Sequence, residues 1–130
     1  MDSIDLKDRT KQFALRAIKL VDALPKTTAG RAIGAQLIRS ATSVAANYRA
    51  TCKARSRAEF VAKIGVVEEE SDESAFWLEL LIESELLKRS LLEQMWTEAN
   101  QLNAIMAASR ITANHKRNAP NRQSPIGNRQ

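Results

Sequence analysis

The 130-residue chain holds one cysteine, Cys52, and one histidine, His115, and these two residues bound the covalent chemistry open to it. Nucleophilic catalysis needs a base held beside the nucleophile. His115 falls at the fraying end of the last helical pattern, where a general base is poorly held, so it reads as a surface histidine. Cys52 falls on the apolar face of a helical segment and is expected to be buried and inert, rather than a reactive thiol beside Lys53 and Arg55. A lone cysteine forms no internal disulfide, cannot build a zinc site with a lone histidine, and fits a reducing, cytoplasmic setting. The acidic run Glu68-Glu69-Glu70, followed by Asp72 and Glu73, has enough carboxylates for a cation. Di-iron bundles, however, use paired Glu-x-x-His motifs, and His115 is preceded by Ile111, Thr112 and Asn114. The run therefore reads as a solvated or salt-bridged face. No catalytic residue, metal or cofactor is expected, and the chain is not expected to be an enzyme.

The remaining chemistry lies in the charge. Lys and Arg number 20 against 15 Asp and Glu, a net charge of +5. That charge is unevenly spread: residues 1–65 hold 13 cations and 5 acids, whereas residues 66–100 hold 2 and 10. Arg31, Arg39, Arg49, Lys53, Arg55 and Arg57 follow one another without an acid between them. At about 100° per residue, Arg31 and Arg49 coincide, Lys53 lies about 40° away and Arg39 and Arg57 about 80° away. They form a stripe beside an apolar face, with Arg55 outside it. Such a stripe can track phosphates, which gives affinity and salt dependence without sequence readout. The competing expectation is pairing with acids of the third helix or of another subunit. No aromatic residue is interleaved with the stripe, so a stacking platform for single strands is not expected.

The elements that must position these residues are helices. Between Met1 and Lys116 only Pro25, Gly30, Gly34 and Gly65 punctuate long 3.6-residue periodicities. A first helix is expected from Ser3, as N-cap, to about Leu24, stopped by Pro25, with Ala14, Ala17, Ile18, Val21 and Leu24 as its stripe. A second is expected from Thr28, capped by Thr27 or Thr28, to Lys53 or Arg55. Ser56 and Glu59 have the spacing of a capping box and open a third, which reaches about Leu87 with a stripe from Phe60 to Ile82. Ser90 and Glu93 repeat the box before a fourth, whose Leu92, Met95, Ala99, Leu102, Met106, Ser109 and Ala113 alternate steps of three and four. Four long helices with short connections predict an all-α, antiparallel up-down-up-down four-helix bundle over residues 1–115. The alternative is three helices with the fourth exchanged between subunits. Residues 116–130 are basic and polar, and are expected to form a disordered tail.

No apolar run is long enough to cross a membrane, and the N-terminus lacks the pattern of a signal peptide. Gly30 and Gly34, with Ala41 and Ala45, point to close helix packing. Trp77, Leu81 and Trp96 lie beside, not within, the apolar stripes, and suggest a second apolar surface for homo-oligomerisation.

An ordered set of segments carries a family resemblance: Leu24-Pro25, the run from Gly34 to Ala41, Ser43-Val44-Ala45-Ala46-Asn47, the run from Arg55 to Phe60, and the run from Glu70 to Leu81. Over residues 12–113 the chain resembles the small four-helix-bundle proteins first known from intervening sequences in bacterial large-subunit ribosomal RNA genes. The family usually follows the asparagine with I-A-E-G, where this chain has Tyr48-Arg49-Ala50-Thr51 and is more basic. The resemblance implies a cytosolic homopentamer. One branch of the family is similar to accessory proteins of diversity-generating retroelements, which implies DNA or RNA and a reverse transcriptase as partners. It supplies no catalytic residues.

Overall fold

In the computed structural model, which describes residues 2–118, 123–124 and 126–127, four helices follow in order. They are α1 (Ser3–Asp22), α2 (Thr28–Thr51), α3 (Arg57–Glu83) and α4 (Arg89–Asn118). The fold is the expected all-α four-helix bundle, and α4 packs along α3 of its own chain.

The helix ends follow from local side-chain chemistry, and several differ from the expected bounds. Asp2, not Ser3, caps α1: its carboxylate accepts the Asp5 backbone N–H at 2.9 Å. That bond holds the Asp2 carboxyl below its usual range. α1 stops at Asp22, ahead of Pro25. Thr27 caps α2 by accepting from the Gly30 N–H, and α2 ends at Thr51. Ser56 caps α3 through the Glu59 N–H, but Glu59 answers one residue early, accepting from the Arg55 N–H at 2.6 Å. α3 ends at Glu83, short of Leu87, because Glu85 takes a left-handed conformation with φ of 60°. α4 starts at Arg89, so Ser90 lies inside its first turn and does not cap it. α4 also runs to Asn118, past the expected boundary at 115. Beyond it, β1 (Gln123–Ser124) and β2 (Ile126–Gly127) form a two-residue antiparallel ladder. The rest of the expected tail lies outside the described residues.

Each pair of successive helices packs through a different chemistry. α1 meets α2 at Gly34, where a Cβ would sit 3.2 Å from Val21 Cγ1 of α1 and 3.1 Å from Leu24 Cδ1 of the connection. Gly30 packs on the connection itself, where a Cβ would sit 2.1 Å from the Pro25 carbonyl oxygen. α2 meets α3 across Ala41, Ala75 and three buried serines, where the Ser74 hydroxyl donates to Ser40 Oγ at 2.9 Å. α3 meets α4 through the seam from Leu92 to Ala113, buried throughout except at Ser109. The α1–α4 seam is the lightest of the four. At its polar contact, Arg9 donates to both carboxylate oxygens of Glu98 and to Gln101 Oε1.

Ile18 is exposed, against expectation, because the buried face of α1 is set by Leu6, Thr10, Phe13, Ala17 and Leu24. Thr10 occupies that face by returning its hydroxyl to the Leu6 carbonyl, so a polar residue holds a core position.

Candidate nucleic-acid interface

The six cations of the expected stripe do not share one environment. α2 packs between α1 and α3, so the two edges of its polar face look toward different neighbours. Arg39 looks toward α3, where its guanidinium bonds the carboxylates of Glu70 and Glu73. Those two bonds, Glu73 first, raise the Arg39 pKa above its ordinary value. Glu73 in turn accepts the Trp77 indole N–H at 3.0 Å. That bond, followed by the one from Arg39, holds the Glu73 carboxyl below the usual carboxylate range. Arg39 is thus a structural cation of the α2–α3 crossing, as the pairing expectation had it.

Arg49 looks the other way. With Lys7, Asp8 and Lys11 of α1 and Thr42, Ala45 and Ala46 of α2, it lines a groove of about 560 Å³ between the two helices. The floor is made of small side chains, and three of the four charged residues on it are cations. Among the described residues none of Lys7, Lys11 and Arg49 takes part in an ion pair. Lys7 and Lys11 were not singled out from the sequence. Their signal was a four-residue spacing, which puts both on one side of a helix, but only the packing shows that this side adjoins Arg49.

The remaining cations are scattered. Arg31 sits at the opposite end of α2, in a shallow recess with Asp22 and Lys26. Lys53 is exposed on the connection to α3. Arg55 lies there too, loosely paired with Glu59 at 4.0 Å. Arg57 opens α3 beside Phe60, Ser109 and Thr112.

The aromatic residues gather elsewhere. Phe76 and Trp96 are 49% and 38% exposed on α3 and α4, and Phe76 packs edge-on against Trp77. Leu81, expected on this surface, is instead fully buried within the protomer. α3 packs against both α2 and α4, which widens its buried arc beyond the stripe that periodicity shows. Trp77 is half-buried against the core, so the exposed aromatic residues on α3 and α4 are Trp96 and Phe76, the second unanticipated. Cys52 is exposed, not buried: α2 has already ended at Thr51, and the residue lies at the edge of its face. Below it, burial first and the Cys52 side chain second raise the Tyr48 phenol well above its ordinary value. His115 is exposed as expected. Among the described residues no cluster of three His, Cys, Asp or Glu could hold a metal ion, and no helix is long and apolar enough to cross a membrane.

The fold and this charge layout define an all-α bundle with a cationic groove on its α1–α2 side and an acidic, aromatic α3–α4 side. The family described as 23S rRNA-intervening sequence protein matches residues 2–108, and the chain belongs to that family. A crystal structure from Bacteroides thetaiotaomicron, described as a protein of unknown function from the S23 ribosomal protein family, superposes with a TM-score of 0.72 at 29% identity. The match covers 81% of this chain and 97% of that one. No curated protein matches the sequence. Neither description assigns an activity.

Proposed function

We propose that the protein is a non-enzymatic homo-oligomer, a pentamer as the resemblance implies, whose α1–α2 groove binds nucleic acid through phosphates without reading sequence. It then acts as an adaptor in the cytoplasm. A reverse transcriptase is the protein partner that the retroelement-like branch of the family implies. The observation that carries this reading is the groove itself: Lys7, Lys11 and Arg49 converge on a small-residue floor and, among the described residues, spend no charge on an ion pair. Repetition of the groove around a ring makes a weak protomer site multivalent. Phosphate contacts displace counterions, so each such cation adds about 0.9 to the salt slope on duplex DNA. Three per groove predict about a 40-fold loss of affinity between 50 and 200 mM salt.

Fluorescence anisotropy with random-sequence duplex, single-stranded DNA and RNA probes tests this across salt. Lys11→Glu and Arg49→Glu are expected to weaken binding at least tenfold, and Asp8→Asn to strengthen it. Arg39→Gln, on the far edge of α2, is expected to leave it unchanged. Absence of salt-sensitive binding at low salt overturns the reading.

A second reading has its own observation. Glu69, Asp72, Glu79 and Glu83 are exposed on α3, and none is ion-paired among the described residues. In a scaffold, the basic groove would instead meet this acidic helix of a neighbouring subunit or of another protein. Light scattering on Arg49→Glu separates the two: dissociation of the oligomer supports the scaffold, and an intact oligomer with weakened probe binding supports the nucleic-acid site.

A further inference from the structure

We infer that the nucleic acid this groove accepts is a duplex, held by its backbone, and not a single strand; the inference rests on the nucleic-acid reading above. Single-strand sites combine a cationic track for phosphates with aromatic faces on which bases stack. This fold sends those two ingredients to opposite sides. The groove cations Lys7, Lys11 and Arg49 have only Thr42, Ala45, Ala46 and Asp8 beside them, with no aromatic ring. The exposed rings are Phe76 on α3 and Trp96 on α4, and neither lines the groove between α1 and α2.

The surroundings of those rings reinforce the separation. On a helix, residues three and four apart are surface neighbours. Phe76 therefore stands between Asp72 and Glu79, both exposed, and Trp96 beside Glu93, which is paired with Arg89. A strand stacking its bases on Phe76 would bring its phosphates against carboxylates, and one on Trp96 would meet an Arg–Glu pair already closed. The other aromatics offer nothing better: Phe13 and Tyr48 are buried, Trp77 is half-buried and bonded to Glu73, and Phe60, between Arg57 and Lys63 on α3, packs against the core.

The groove suits a duplex on geometric grounds. Lys7 and Lys11 lie one helical turn apart, about 6 Å at 1.5 Å per residue, and face Arg49 across two packed helices whose axes lie about 8–10 Å apart. That is a patch of charge a few phosphates long. Thr42, Ala45 and Ala46 keep its floor low, so a convex backbone can seat between the cationic rims. A duplex also packs more phosphate charge into that length than a single strand, about one per 1.7 Å of axis against one per 3.4 Å.

Anisotropy on the full chain at one low salt concentration, with a 20-base-pair duplex and its separated strand as competing probes in DNA and RNA forms, tests this. Duplex is expected to bind at least tenfold tighter in one or both chemistries, and Lys7→Glu to lower duplex affinity by about tenfold. Phe60→Leu is expected to leave it unchanged, as is Trp96→Ala with its oligomer intact by light scattering. A single strand that binds as tightly as duplex, or binding that Phe60→Leu or a still-assembled Trp96→Ala removes, overturns the inference while the nucleic-acid reading survives. No binding of any probe removes both.

Discussion

The two halves of the bundle handle charge in opposite ways. Along α3 and α4, cations are held by acids at the helix crossings: Arg110 Nε bonds Glu68 at 2.5 Å, and Arg39 of α2 reaches Glu70 and Glu73, while acids such as Glu69 and Asp72 face solvent. The Asn103 amide donates to the Glu68 carbonyl oxygen, so even polar uncharged groups are spent on helix–helix contact. Along α1 and α2 the helices instead close on Gly34, and their turn on Gly30, and Lys7, Lys11 and Arg49 are left facing solvent. Net charge per segment therefore misleads. A side chain already holding a carboxylate offers little to an incoming phosphate, and the number of uncommitted cations on one surface is what counts.

The largest effect that tests this contrast comes from the glycines. Gly30→Ala drives a Cβ into the Pro25 carbonyl oxygen, which is backbone and cannot step aside. We expect a loss of about 2–3 kcal/mol, read as a fall of roughly 10 °C or more in the melting temperature. Gly65→Ala on α3 is the control. Its Cβ would meet only Arg110 Cδ, at 3.8 Å, which is ordinary contact. There the better helix propensity of alanine should dominate, stabilising by about 0.5–1 kcal/mol. Equal losses at the two positions would mean that the turn joining α1 to α2 is not the tighter approach.

A smaller effect separates the two arginines of α2. Arg39→Ala should lower thermal stability, because it strips the partner from Glu70 and Glu73, while Arg49→Ala should not. The half-exposed setting of Arg39 keeps even that loss below the Gly30 effect. For nucleic-acid affinity the ranking should invert. A pair of variants whose stability and binding losses fall on the same residue would merge the two roles that the structure keeps apart.

Much of this was legible in the sequence. The α4 seam, the Ser56 cap and the Pro25 stop are each written in local residues, and periodicity sufficed for them. The division of labour between Arg39 and Arg49 was not. About 80° on a wheel looks like one stripe until the helix is known to sit between α1 and α3. Leu81 was misplaced for the same reason: a helix packed on two sides buries an arc wider than one stripe. Cys52 was misplaced because its exposure depends on where α2 stops. Lys7 and Lys11 were hidden by tertiary structure, since nothing in α1 says that its polar side adjoins the far end of α2.

The smallest expected effect concerns acid. The Glu73 carboxyl is held below its unfolded value by the Trp77 indole N–H and then by Arg39. A group with a depressed folded pKa contributes stability above its unfolded pKa, about 4.3 for glutamate, and loses it as pH falls through the folded value. Between pH 7 and pH 5 this contribution should be flat, and it should fade below about pH 4.3. Glu73→Gln removes the titrating group, so its melting temperature should differ from that of the parent chain at pH 7 and converge with it toward pH 3. Because Glu73 is partly exposed, the difference should be small and should shrink further in salt. The groove supplies the contrast: Arg49 has no carboxylate partner among the described residues, so Arg49→Gln should leave the pH dependence of stability where it was. A shift of the acid limb in the Arg49 variant, and none in the Glu73 variant, would reverse the assignment of which α2 edge is structural.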